Sequence, residues 1–200
     1  MIIMDKNKQF VITINRELGS GGHTVGRILA ERLQVKYYDK ALTEGITEKF
    51  GLSLEEIERL KAQEKESWWD ELKGRPTTAA MFETERKIFQ GLAEKESCVI
   101  AGRGAFLVFR DWDNHLDVFI QASRAKRIER LQKKGMTMAA AMDTIDEVDA
   151  GRETYIQKYS DKSRYDTRHY DLVITMDELT EEDAADIIME FIDRTTKNHR

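Results

Sequence analysis

Two hundred residues are enough for one α/β domain with a sizeable core. With 40% hydrophobic and 34% charged residues and a net charge of −5, the composition is that of a well-hydrated globular protein and argues against binding long nucleic acid or anionic membrane. No apolar run approaches the roughly 18 residues of a membrane span, the opening MIIMDKNKQF lacks a signal-peptide pattern, and a single cysteine, Cys98, excludes an internal disulfide framework and fits a reducing cytoplasm.

In chain order, Phe10-Val11-Ile12-Thr13-Ile14 is a β-branched apolar run that predicts a buried strand. After a glycine-rich turn, Val25, Ile28, Leu29 and Leu33 recur at helical spacing and predict a helix over about 24–34. Lys36-Tyr37-Tyr38 predicts a brief second strand ending at Asp39. Residues 40–95 read as mostly helical, with Ser53 as an N-cap and Glu56 placed for a capping box, and with a loop at Lys73-Gly74-Arg75-Pro76. Residues 97–101 predict a third strand, with Cys98 as a buried structural thiol, followed by Gly102-Arg103-Gly104. Residues 116–121 predict a fourth. The helix after it carries six bases and one acid across residues 124–134. A polar helix over about 137–159, a loop at 160–169, a last strand at 170–175 and a helix over about 180–195 complete the chain. Residues 177–193 hold eight acids and no base. Strands alternating with helices predict a parallel sheet covered on both faces.

The strongest local pattern is Thr13-Ile14-Asn15-Arg16-Glu17-Leu18-Gly19-Ser20-Gly21-Gly22-His23-Thr24, set between a strand and an amphipathic helix. Glycines there let backbone N–H groups turn around phosphate oxygens, and the helix start adds partial positive charge. Gly19, Ser20, Gly21, Gly22, His23 and Thr24 are the candidate phosphate-binding residues, with the Thr24 hydroxyl a candidate Mg²⁺ ligand. The plainer alternative is a tight strand-to-helix turn capped by Ser20 or Thr24. No Gly-Lys-Ser/Thr follows, so this is not a regular Walker A loop.

The stretch ITINRELGSGGHTVGRILAERLQVKYYDKAL resembles the opening of the cytidylate-kinase-like proteins, and the likeness continues through IAGRGAFLV, VFIQASRAKRIERLQKKG, IDEVDAGRETYIQKY and YDLVITM. It spans nearly the whole chain, with residues 43–95 matching least. The resemblance implies a single-domain, three-layer P-loop NTPase fold with a five-stranded parallel sheet, a helical substrate-side segment over about 40–95 and a lid over about 122–168. It implies transfer of the ATP γ-phosphoryl group, with Mg²⁺, to cytidylate, deoxycytidylate or a related monophosphate. Typical members carry a P-loop lysine where this chain has Gly22, and an aspartate that helps recognise cytosine where it has Gly104.

By the same resemblance Asp39 and Arg103 face the acceptor, Asp149 and Arg152 lie on the returning arm of the lid, and Arg124 or Arg127 closes over the donor phosphates. Each has a bland alternative: an N-cap for Asp39, a solvated surface for Arg103 and the basic helix, and a surface ion pair for Asp149 and Arg152. Arg124, Arg127 and Arg130 are spaced to share a helix face. Arg16, at the carboxyl end of the first strand, is the candidate for the missing lysine's charge; Arg27 competes but lies off the apolar face of its helix, and His23 is mostly neutral at pH 7. His23, His115, His169 and His199 show no metal-ligand spacing, Asp117 has no evident partner, and Trp68-Trp69 reads as packing. Two rival functions stay open: a nucleotide-binding protein without turnover, and a P-loop kinase for another small acceptor.

Overall fold

A computed structural model describes residues 4–39 and 79–197. Ser53, Glu56, Trp68-Trp69 and the Lys73-Gly74-Arg75-Pro76 loop lie outside the described residues. Strands β1 (Val11–Arg16), β2 (Lys36–Tyr38), β3 (Cys98–Ala101), β4 (His115–Gln121) and β5 (Leu172–Thr175) form one sheet in the order β2-β3-β1-β4-β5. All pairings are parallel: Val11 stands opposite Cys98 on one side and His115 on the other, and Val118 opposite Leu172. The helices are α1 (Gly22–Arg32), α2 (Ala79–Ala93), a short α3 (Ala105–Val108), α4 (Arg124–Lys133), α5 (Met138–Ser160) and α6 (Glu181–Lys197). A 3₁₀ turn, Thr167–His169, precedes β5.

Strand alternation divides the apolar side chains between two faces. Ile12, Ile14, Leu116, Val118 and Ile174 join Val25 and Leu29 of α1 and Ile188 and Ile192 of α6 in one core. Val11, Cys98 and Ile100 face the opposite way, onto Ile88, Phe89 and Leu92 of α2 and Phe109 after α3. A parallel sheet covered on both faces favours strands rich in apolar residues, and apart from Thr13, Asn15 and Asp117 the buried positions of β1, β3 and β4 are apolar: the architecture is α/β with the sheet between two helical layers. Among the described residues, no helix is long and apolar enough to cross a membrane.

Cys98 is fully buried, and desolvation, with a contribution from Glu96, pushes its thiol up to about 12. The native protein at pH 8 is therefore expected to resist iodoacetamide, and the denatured chain to take up one label, as intact-mass measurement would show.

The helix starts are set locally. Ser123 accepts from Lys126 N, Thr137 accepts from Ala140 N, and Thr180 and Asp183 exchange side-chain bonds with each other's backbone N–H, each such cap being worth about 1 kcal/mol. The acidic run is largely α6, whose first-turn Glu181, Glu182 and Asp183 suit a helix N-terminus. Glu182 and Asp186 pair with Arg32 of α1. One expectation needs correcting: α1 begins at Gly22, and its N-cap is Gly21, not Ser20 or Thr24. With Gly21 at φ 93°, its carbonyl accepts from Thr24 N at 2.9 Å and Val25 N at 3.1 Å, which starts the helix early. Ser20 is fully buried, and its Oγ donates to Glu17 O at 2.9 Å.

Candidate active site

β1 lies between β3 and β4, so the chain crosses from one side of it to the other, and ligands of open parallel sheets bind outside the carboxyl ends at such a point. The loop after β1, Gly102-Arg103-Gly104 after β3 and the turn into α4 meet there. The β1 loop is braced from below. Glu17 N donates to Ile120 O at 3.1 Å, its carboxylate accepts from Ala122 N at 3.1 Å, and Arg127 Nη1 stands 3.3 Å from it. Leu18 N donates to Asp149 Oδ1 at 3.1 Å, and Leu18 O accepts from Arg127 Nε at 2.7 Å.

These bonds revise three expectations. Arg127 is 7% exposed, paired with Asp149 and Glu17 beneath the loop; its place is that of a brace and not of a lid side chain closing from above. Nor do the three arginines of α4 share surroundings. Arg124 is exposed and bidentate to Asp146 at 2.5 and 2.7 Å, whereas Arg130 donates to Met176 O at 2.9 Å. Each three-residue step turns the helix by roughly 60°, so two steps spread the three over about 120°. Asp149 is likewise no surface partner: it is 7% exposed and receives Leu18 N, Arg127 Nη2, Arg152 Nη1 at 3.3 Å and Arg164 Nη1 at 3.4 Å.

Above this brace lies a pocket of about 70 Å³ lined by Asn15, Arg16, Arg103, Arg152, Tyr155 and Arg164 among others, with no carboxylate among the described lining residues. That volume is several times the roughly 10–15 Å³ a cavity needs to hold one water, so the pocket admits a small polar group. Arg152 Nη1 donates to Arg16 O at 3.1 Å, and Arg164 Nη2 donates to the same oxygen. Arg103 has φ 58° between Gly102 at 83° and Gly104 at 65°. A non-glycine residue there costs on the order of 1–2 kcal/mol, and such strain collects at functional sites.

Arg16 runs across the site. A Cβ on Gly22 would sit 2.6 Å from Arg16 Cβ, and one on Gly102 would sit 1.9 Å from Arg16 Nη1. Any side chain at position 22, lysine included, therefore collides with the stem of Arg16, and the bare backbone of Gly102 is the floor under its guanidinium. Burial holds that guanidinium below the ordinary arginine value; Arg164 and Arg103 lower it further, against the opposing pull of Tyr37 and Asp39. At the loop's mouth, His23 Nδ1 lies 3.1 Å from Tyr37 Oη and 3.3 Å from Asp39 Oδ2. Desolvation lowers the His23 pKa in spite of Asp39, so the ring is neutral at pH 7. Thr24 is exposed on the first turn of α1.

The fold thus brings Arg16, Arg103 and Arg152 around one pocket, sets Gly19, Ser20, Gly21, Gly22, His23, Thr24 and Asp39 beside it, and leaves Arg124 on the outer surface. Sequence reasoning missed Arg164. It is 0% exposed, its Nε has no hydrogen-bond partner among the described residues, and it stacks 5.1 Å from the Tyr165 ring centroid and 5.8 Å from that of Phe119. Tyr170 Oη donates to Arg164 O at 2.7 Å and accepts from Asn15 Nδ2 at 2.5 Å, which ties the loop carrying Arg164 to the end of β1. No periodicity marks a residue held in that way.

The profile of the cytidylate kinase-like family matches residues 11–178. A cytidylate kinase of Staphylothermus marinus is 27% identical over 198 residues, spanning 94% of this chain and 98% of that protein. Among solved structures, an uncharacterized protein from Eubacterium ventriosum gives a TM-score of 0.67 at 26% identity, over 92% of this chain and 99% of that one. A shikimate kinase from Bacteroides thetaiotaomicron gives 0.54 at 20% identity, over 92% and 98%; at that identity the likeness concerns the fold alone, which is that of the P-loop kinases.

Proposed function

The chain belongs to the cytidylate kinase-like family, and on that premise we propose that it transfers the γ-phosphoryl group of ATP to a nucleoside monophosphate, with cytidylate and deoxycytidylate the first acceptors to test. The observation that carries this reading is the pocket lined by Arg16, Arg103, Arg152 and Arg164 beside a glycine-rich loop. Burial is the main reason the Arg16 guanidinium sits below its ordinary value, with Arg164 and Arg103 adding to it, and an anion placed among these side chains favours their charged forms. A monophosphate acceptor is already anionic and needs no general base; alignment and charge neutralisation carry the transfer.

In this reading Gly19 to Thr24 hold the donor phosphates, Arg103 and Asp39 hold the acceptor, and Arg152 and Arg16 offset charge on the transferring group. Arg127 and Asp149 keep the loop in shape, and Arg124 sits on the lid. The exposed Thr24 hydroxyl is the hard oxygen donor suited to Mg²⁺, which when bound supplies charge neutralisation at the phosphates. Gly104 offers no side chain to a base, which favours a second reading: a kinase for a different small acceptor.

Release of ADP across the common nucleoside monophosphates tests both. Turnover with cytidylate or deoxycytidylate supports the proposal; turnover only with another acceptor replaces the substrate. No turnover, together with a rise in melting temperature on adding ATP and Mg²⁺, would mean binding without catalysis. In calorimetry, Arg103→Ala is expected to weaken monophosphate binding about tenfold or more and spare ATP, and Thr24→Ala to weaken the Mg²⁺-dependent part of ATP binding. The reverse pattern overturns the assignment.

A further inference from the structure

At the opposite end of the sheet, His115 opens β4, Asp117 lies two residues along the same strand face, and Asp171 immediately precedes β5. β4 runs from His115 to Gln121, and Asp117 stands opposite Thr13 of β1, so it lies about 10 Å along the strands from Arg16 at the end of β1. One ligand atom from each of the three residues lies within 4.8 Å of the others. They sit on a cleft of about 160 Å³. We infer that His115, Asp117 and Asp171 form a site for a first-row divalent metal ion, with Zn²⁺ as its natural probe.

The orientation of each group carries the inference. His115 Nδ1 is 2.5 Å from the carbonyl oxygen of Trp112. A carbonyl cannot donate, so Nδ1 holds the proton and Nε2 is left with its lone pair. That Nε2 points at Asp117 Oδ2, 3.4 Å away. In the neutral ring this sets lone pair against carboxylate, an arrangement that requires a cation between them or a second proton on the imidazole. A backbone carbonyl fixing the tautomer is also the usual support of a metal-bound histidine.

Each carboxylate is held by a hydrogen bond of its own. Asp117 is 4% exposed; its Oδ1 accepts from Thr13 Oγ1 at 2.5 Å, which turns Oδ2 toward the imidazole. Asp171 Oδ2 accepts from Asp117 N at 2.9 Å, which pins Asp171 across the strand pair. Two carboxylates against one imidazole leave the cluster negative even when the ring is protonated. Of the arginines on the cleft, Arg168 is committed to a bidentate pair with Asp166, and Arg110 is exposed at the rim.

Distance and donor type narrow the ion. Tetrahedral bonds of about 2.1 Å place neighbouring ligand atoms roughly 3.4 Å apart, the separation found between His115 Nε2 and Asp117 Oδ2. Asp171, with a carboxylate oxygen within 4.8 Å of the other two ligand atoms, is the candidate for the third position, and the cleft has room for water in the fourth. An imidazole among carboxylates favours Zn²⁺ and its neighbours over Mg²⁺ or Ca²⁺. The role that fits is structural. Bound there, an ion joins β4 to the far end of the loop that carries Arg164 and Tyr170 into the active site.

The test uses the untagged full-length chain, stripped with chelator and titrated with Zn²⁺ by calorimetry, with the visible d–d absorption of Co²⁺ as a second reading. One equivalent is expected to bind, raising the melting temperature by roughly 5–10 °C at a hundredfold excess over Kd. His115→Gln and Asp171→Asn should each weaken binding at least about tenfold, while His169→Gln, on the same cleft, leaves it unchanged. Asparagine keeps an acceptor for Asp117 N, and metal-free melting curves show whether each variant folds. A measurement on the unsubstituted chain is independent of that: in proton–nitrogen spectra of the imidazoles, Zn²⁺ must shift His115 Nε2 and leave Nδ1 protonated. Absence of saturable binding, equal binding by the His115 and Asp171 variants, or an unmoved His115 resonance overturns the site and leaves an imidazolium–carboxylate pair.

Discussion

Arg16→Ala is expected to lower turnover by about 30- to 1000-fold with little change in melting temperature, the kinetic equivalent of roughly 2–4 kcal/mol of charge stabilisation made mainly in the transition state. The motive is geometric. The Arg16 stem covers Gly22 and its guanidinium lies on Gly102, so one side chain reaches from the glycine-rich loop to the Gly102-Arg103-Gly104 turn that lines the pocket. Arg27→Ala is the matched control, because Arg27 is exposed on α1. Arg16→Lys should recover part of the loss by restoring charge without the fork. Gly102→Ala gives a second route to the same end: its Cβ would strike Arg16 Nη1, and φ 83° disfavours any side chain. Steady-state kinetics in which Arg16→Ala keeps near-normal turnover while Arg27→Ala loses it would transfer the role to the helix arginine.

Asp149→Ala is expected to be the most destabilising of the site substitutions, by about 3–5 kcal/mol, because it leaves buried guanidiniums without their shared carboxylate. For a chain of this size that is a fall of roughly 10 °C in melting temperature. Leu18 N also loses its acceptor, and the phosphate loop loses the link to α5. Asp146→Ala removes the exposed partner of Arg124, three residues earlier on α5, and should leave the melting temperature nearly unchanged. Asp149→Asn separates the two functions of the carboxylate. It retains an oxygen for Leu18 N while removing the charge, so a melting temperature close to that of the alanine variant assigns the loss to charge. Equal thermal shifts for the Asp146 and Asp149 alanine variants would overturn the distinction between brace and surface pair.

The sequence by itself determined the alternating layout, the five strands, the glycine loop between β1 and α1, and the acidic closing helix, because each is written in short-range patterns. Period-two and period-3.6 apolar spacing states which face is buried, and glycine, serine and threonine at element ends state where helices begin. Even there, the start of α1 depended on the left-handed Gly21, a backbone choice that a run of glycines leaves open. What only the tertiary structure decided is which distant polar groups meet. Asp149 and Arg152 read equally well as a surface pair until α5 packed against the loop and buried Asp149 beneath Leu18. Arg127 exchanged a lid for a brace for the same reason. Arg164, far along the chain from Arg16, arrives at its carbonyl through a loop fixed by Tyr170 and Asn15. Asp171 reaches His115 and Asp117 because β5 pairs with β4. Local spacing encodes burial, which every residue of an element shares. A charged group's role depends on the partner that neutralises it, and that partner is chosen by long-range packing.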